Sequence, residues 1–245
     1  MFKLAGTYIY KNCANLLSLL GVAPLFILFQ EGGFQYIIPL IIYNNILDDL
    51  DGFIAKKLKI RSQYGGNLDN ICDAVAHSII VISVGIHFGG ILTLFSVVAV
   101  SSIILRITNR FELGYDFEGG TQTNELMRHI MFVILISELG EFNPSSILAL
   151  VFMLNSISML ITIPFPFMLV HFTNNPTSLT LFNLSLILVF LVKPLSYIFG
   201  GAFFLTYIYS FIKVILEEVM KITCLLYTSD AADDSLRVDL GGRRI

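Results

Sequence analysis

Long apolar runs, cut by brief polar or turn-forming breaks, follow one another along almost the whole of this chain. A helix needs about 20 mostly apolar residues to cross the ~30 Å hydrocarbon core of a bilayer. Lipid offers no partner to a bare backbone amide, so only helices and closed barrels can span it. The runs here have the length and apolar character of such helices. They fall at Asn15–Phe29, Phe34–Lys56, Gly66–His87, Gly90–Ile107, Thr123–Leu139, Ser146–Phe167, Ser178–Val192 and Tyr197–Leu216. Only Lys193-Pro194-Leu195-Ser196 separates the last two. Composition agrees: 13% of residues are charged and 56% hydrophobic, against about 25% charged in an ordinary soluble domain. The expected fold class is all-α, a polytopic transmembrane helical bundle of about six to eight spans.

Lysine and arginine set the expected orientation. Lys3 and Lys11 precede the first run, and Lys56, Lys57, Lys59 and Arg61 follow the second. Arg106, Arg110 and Arg128 flank the loop between the fourth and fifth, and Lys213 and Lys221 follow the eighth. The opposite loops hold only Lys193. Both termini are therefore expected in the cytoplasm, in the membrane of a prokaryotic cell. A net charge of −3 gives no reason to expect nucleic acid. Cys13, Cys72 and Cys224 are too few and too scattered for a disulfide framework or a zinc site. The short, mixed stretch before the first run does not read as a cleavable signal.

Against this background residues 48–73 stand out. Asp48, Asp51, Asp69 and Asp73 lie at helix-compatible spacings at the facing ends of the second and third runs, joined by a loop rich in Lys and Gly. Acids in or near a bilayer are costly and mark functional sites. Carboxylates three and four residues apart share a helix face, and two such pairs facing each other form a hard-oxygen cage suited to Mg²⁺ or Mn²⁺. Gly52, Ala55, Gly65 and Gly66 withdraw side chains from the same surface, allowing a bulky ligand close to the backbone. Lys56 is placed to meet phosphate.

The pattern Asp48-x2-Asp51-Gly52-x2-Ala55-Lys56-x8-Gly65-x3-Asp69-x3-Asp73 resembles the signature of the CDP-alcohol phosphotransferase family. Asn15–Gly21 also resembles that family's entry helix. The resemblance implies transfer of a substituted phosphate from a CDP-activated donor to an alcohol, with release of CMP. It implies that Asp48, Asp51 and Asp69 hold divalent metal with help from Asp73, and that Asp73 takes the proton from the attacking hydroxyl. Gly52, Ala55 and Gly65 would cradle the nucleotide. The family normally has Arg where this chain has Lys56. Lysine keeps the charge but loses the planar fork, which weakens a donor-phosphate contact. A membrane site points to CDP-diacylglycerol as donor and a small soluble alcohol as acceptor. Leu105–Phe111 loosely resembles the serine-using branch, whereas Ala74–Ser78 lacks that branch's Phe-Gly and Pro pattern; glycerol 3-phosphate and an inositol compound remain alternatives. A homodimer is a further expectation.

Arg106 and Arg110 share a helix face on the side of the acids and read equally as phosphate contacts or as positive-inside anchors. Arg128 and His129, with Glu125 one turn earlier, are candidates for the acceptor pocket. Asp49 is expected to face solvent, Glu138 to be structural on the far side, and His77 and His87 to be core or interface residues. Two rival readings remain. An intramembrane prenyltransferase also uses acid-rich helices, but with its acidic motifs far apart in sequence. A cation transporter would place acids near mid-span.

The chain's end reads differently. From Cys224 it runs Cys-Leu-Leu-Tyr-Thr-Ser-Asp-Ala-Ala-Asp-Asp to Gly241-Gly242-Arg243-Arg244-Ile245, and resembles the translation of a transposon-type sequencing adapter. The expected organisation is therefore one membrane domain over residues 1–223 and a non-native, disordered tail over 224–245.

Overall fold

The computed structural model describes residues 2–113, 122–160 and 176–240. Side chains of 2–9, 110–113 and 222–240 lie outside that description, as do those of Lys11, Pro176 and Glu218. Among the described residues the chain is helical, with α1 (Phe2–Val22), α2 (Ile37–Lys57), α3 (Gln63–Phe88), α4 (Ile91–Leu113), α5 (Gln122–Gly140), α6 (Ser145–Leu160), α7 (Pro176–Leu191) and α8 (Leu195–Leu240). Tighter 3₁₀ turns at Ala23–Phe29 and Gly33–Tyr36 join α1 to α2.

These helices cover the expected spans, with instructive differences. The first run begins inside α1, which starts at Phe2, well before that run. It then passes at Pro24 into 3₁₀ geometry, where proline fits the first turn but would break a helix interior. The sixth run keeps its helix to Leu160, and its remainder lies outside the described residues. Among the described residues four segments are long and apolar enough to cross a membrane: Asn12–Phe29, Gln63–Phe88, Ile91–Asn109 and Leu195–Lys221. Helices α2 and α5 do not qualify, because Asp48, Asp49, Asp51, Lys56 and Lys57 load the first and Glu125, Arg128 and Glu138 the second. They are the helices that other helices surround. From Gln122 to Leu135 every side chain of α5 is buried.

The packing makes this an inverted distribution for water and the expected one for lipid. Helix α1 packs on α2 and α3, α3 on α4, and α4 on α6, while α5 touches α2, α3, α6 and α8. Leu94, Val97 and Ile104 of α4 and Leu205, Ile208 and Ile212 of α8 point outward. Asn45, Asp51, Asn124, Glu125, Arg128 and His129 are buried. The chain is an integral membrane bundle. Several of these interior polar groups pair with one another, as Arg128 does with Glu125 and Asn45, because hydrocarbon offers no partner.

Lys193, the exception to the lysine- and arginine-free loops, pairs with Glu138 at 2.7 Å in an exposed bridge. His87 stacks on Phe34 with centroids 3.5 Å apart, and His77 is buried. Where a disordered tail is expected, the backbone helix of α8 runs to Leu240. No glycine or proline interrupts the sequence from Ala202 to Leu240, so nothing local ends the helix before Gly241-Gly242.

Candidate active site

The loop between α2 and α3 sets the geometry of the site. Helix α2 ends with Ile60 N–H donating to the Ala55 carbonyl (3.1 Å) and Lys59 N–H to that of Lys56 (3.3 Å). Lys59 itself is left-handed, with φ of 55°. This is the Schellman closure that usually employs glycine. Three residues later Ser62 caps α3, its hydroxyl accepting from Gly65 N–H at 3.0 Å. The two closures turn the chain back on itself and bring the ends of α2 and α3 together.

Three of the four predicted acids meet there. One oxygen from each of Asp48, Asp51 and Asp69 lies within 4.8 Å of the others. Asp73, a turn deeper on α3, is buried and is not one of the three. Neighbouring helices hold the α2 acids in place. The Ser18 hydroxyl of α1 donates to Asp51, and Asn124 Nδ2 of α5 donates to Asp48 Oδ2 at 2.9 Å. Three hard oxygens on a rigid hairpin fit Mg²⁺ or Mn²⁺ in donor type and spacing.

The small residues divide into two kinds. A Cβ at Gly52 would meet nothing within 4 Å, nor would one at Gly66. At Gly65 it would stand 3.0 Å from Asn15 Oδ1 and 3.2 Å from Ser62 Oγ. Gly65 thus lets α1 and the capping serine close on the start of α3, while Gly52 leaves open space beside Asp51. Ala55 is half-buried and Lys56 exposed on the same helix end. Arg106 is half-buried on α4, and the side chain of Arg110 lies outside the described residues.

Behind the acids a second polar group ties α2, α5 and α7 together. Arg128 pairs with Glu125 at 3.1 Å and donates to Asn45 Oδ1 at 3.1 Å. Its guanidinium sits over the ring of Phe182 at 4.7 Å. Asn45 and Asn183 donate to Asp49 Oδ2 at 3.2 and 2.7 Å, and Asn45 also donates to Asn183 Oδ1 at 2.9 Å. Asp49 is therefore no solvent-facing bystander: the expectation fails because the amide that receives it stands 134 residues away. Arg128 is 4% exposed, with its terminal nitrogens engaged within the bundle. His129 is packed against Phe203, Phe204 and Tyr207. Ser18 and Asn124, absent from the sequence reading as site residues, are the side chains that reasoning from the motif missed. Ser18 lay within the quoted entry-helix stretch Asn15–Gly21; Asn124 carried no local signal.

A helical membrane bundle with carboxylates clustered at a tight helix hairpin, beside an open glycine, has the build of an integral-membrane protein that can hold a divalent cation next to room for a substrate. The chain belongs to the CDP-alcohol phosphatidyltransferase family, whose family model matches residues 11–168. That span takes in α2 through α6, with the hairpin and all four acids, and stops short of α7 and α8. A comparison with curated proteins returns no match. The family is one of transferases of substituted phosphate groups in phospholipid biosynthesis, generally dependent on a divalent metal.

Proposed function

We propose that the chain moves a phosphatidyl group from CDP-diacylglycerol to a small soluble alcohol, serine in first place, and releases CMP. The observation that carries this is the meeting of Asp48, Asp51 and Asp69 within 4.8 Å beside the open face of Gly52. In the reaction the acceptor oxygen forms a bond to the β-phosphorus as the bond from that phosphorus to the bridging oxygen breaks. CMP leaves with that oxygen, and the hydroxyl proton passes to a carboxylate.

Each part of the site has a task. Asp48, Asp51 and Asp69 would hold Mg²⁺ or Mn²⁺, with Asp73 as a further carboxylate. Bound there, the metal neutralises diphosphate charge. Asp73, buried a turn below, takes the proton from the acceptor hydroxyl, the work of a general base. Gly52 and Ala55 let the nucleotide lie against α2, Lys56 meets the donor phosphate as a point charge, and Gly65 contributes backbone rather than open space. Arg106 and Arg110 are the cations proposed for acceptor or donor phosphate. Arg128 is proposed for the acceptor side through its network rather than as a free charge. The positive loops support a cytoplasmic-facing site, and a prokaryotic membrane and a homodimer belong to the same reading.

The family match and the single hairpin favour this over the prenyltransferase, whose acids are separated in sequence. The position of the acids at helix ends favours it over the transporter. The test uses the full chain in detergent with CDP-diacylglycerol, Mn²⁺ and a panel of serine, glycerol 3-phosphate and inositol compounds, reading CMP and lipid product. Serine-dependent CMP release that stops with chelator and returns with Mg²⁺ or Mn²⁺ is expected. Full turnover in chelator refutes the metal role, and release with another alcohol alone reassigns the acceptor.

A further inference from the structure

We propose that Asn124 is a positioning residue for the metal site: its amide holds the Asp48 carboxylate in the orientation the acid triad needs to take up a divalent cation. This rests on the reading of Asp48, Asp51 and Asp69 as metal ligands. Three carboxylates within 4.8 Å of one another repel, and α2 alone supplies nothing that keeps Asp48 turned toward its neighbours. Asn124 comes from α5, the most enclosed helix, and is itself buried. Its Nδ2 donates to Asp48 Oδ2 at 2.9 Å, which leaves the second carboxylate oxygen and the remaining lone pairs for a cation.

The residue type matters. A lysine or arginine at this place would steady Asp48 by cancelling its charge and so compete with the metal. A neutral amide orients the carboxylate and leaves the charge in place. Arg128, a turn further along α5, does not fill that role, because its Nη atoms go to Glu125 and Asn45. Partners that orient metal-binding carboxylates are commonly worth 10- to 100-fold in metal affinity.

The experiment is Mn²⁺ titration of the purified full-length protein in detergent without substrate, read by electron paramagnetic resonance, beside thermal unfolding in chelator. Asn124→Ser and Asn124→Ala are expected to weaken Mn²⁺ binding by about ten-fold or more, with metal-free unfolding little changed. In an Asp48→Asn background Asn124→Ser should add no further loss, because the two residues act through one carboxylate. Unchanged Mn²⁺ affinity in the single variants overturns the proposal, as does an equal further loss in the Asp48→Asn background. Should neither variant fold, Asn124→Gln keeps the amide on a longer stem and is expected to fold with weakened binding. Failure of all three to fold makes Asn124 a packing residue and overturns the proposal too. A wild-type chain that took up no Mn²⁺ would overturn the metal-site reading and this proposal together; equal uptake by wild type and variants overturns this proposal alone.

Discussion

At the scale of single residues, the two acids of α3 have different surroundings: Asp69 joins the triad, whereas Asp73 is buried a turn below it. Asp73→Asn keeps shape and removes the proposed base. Turnover is expected to fall by about two to four orders of magnitude, with CDP-diacylglycerol binding better preserved than in Asp51→Asn. Near-normal turnover in a CMP-release assay rules out the assignment. Lys56→Arg restores a planar fork at an exposed position on the α2 end, and a fork pairs two phosphate oxygens where an ammonium offers a point charge. The apparent donor KM should fall. Unchanged kinetics there, together with a silent Lys56→Ala, would leave Lys56 as an anchor at the membrane surface.

At the scale of elements, what the sequence made legible is what is local. The α2 and α3 acids could be paired by eye because one short loop joins them and helix periodicity fixes their faces. The braces could not: Ser18 stands 33 residues from Asp51 and Asn124 stands 76 from Asp48. Asp49 reads as solvent-facing because nothing near it in sequence reveals Asn183. The same distance hides the packing of α5, whose buried face joins α2 to the rest of the bundle. Removing Arg128 alone leaves Glu125 buried beside an orphaned Asn45 carbonyl. Breaking such a buried pair costs about 3–5 kcal/mol in soluble interiors, with smaller values where the unfolded chain stays in the membrane. Arg128→Ala should therefore unfold at clearly lower denaturant than wild type. The double change Glu125→Gln with Arg128→Met should recover part of the loss. A single variant as stable as wild type, measured by SDS titration, would show the network to be dispensable.

At the scale of the whole molecule, the described bundle divides into a stretch that matches the family and two later helices that do not. Helix α7 still reaches the polar interior through Asn183 and Phe182, so residues beyond 168 contribute to the fold. The last twenty or so residues are another matter. Lys213 and Glu217 already give α8 a charged, exposed end before them. Deleting Leu225–Ile245 should leave membrane insertion, metal dependence and turnover unchanged within a few-fold. Activity lost with insertion intact would show the tail to be native and functional.

The short turn from Lys59 to Ser62 also fixes a sequence of events in time. Because it joins the two acid-bearing helices directly, the ribosome delivers Asp48 through Asp73 in one hairpin. Asn124 follows about 50 residues later, which at ~5–20 residues per second is a delay of roughly 3–10 seconds. For that interval the nascent chain carries its acids into the membrane with their restraining amide not yet made. On the proposal made for Asn124, its restraint on Asp48 is therefore added only after the acid-bearing hairpin has been synthesised.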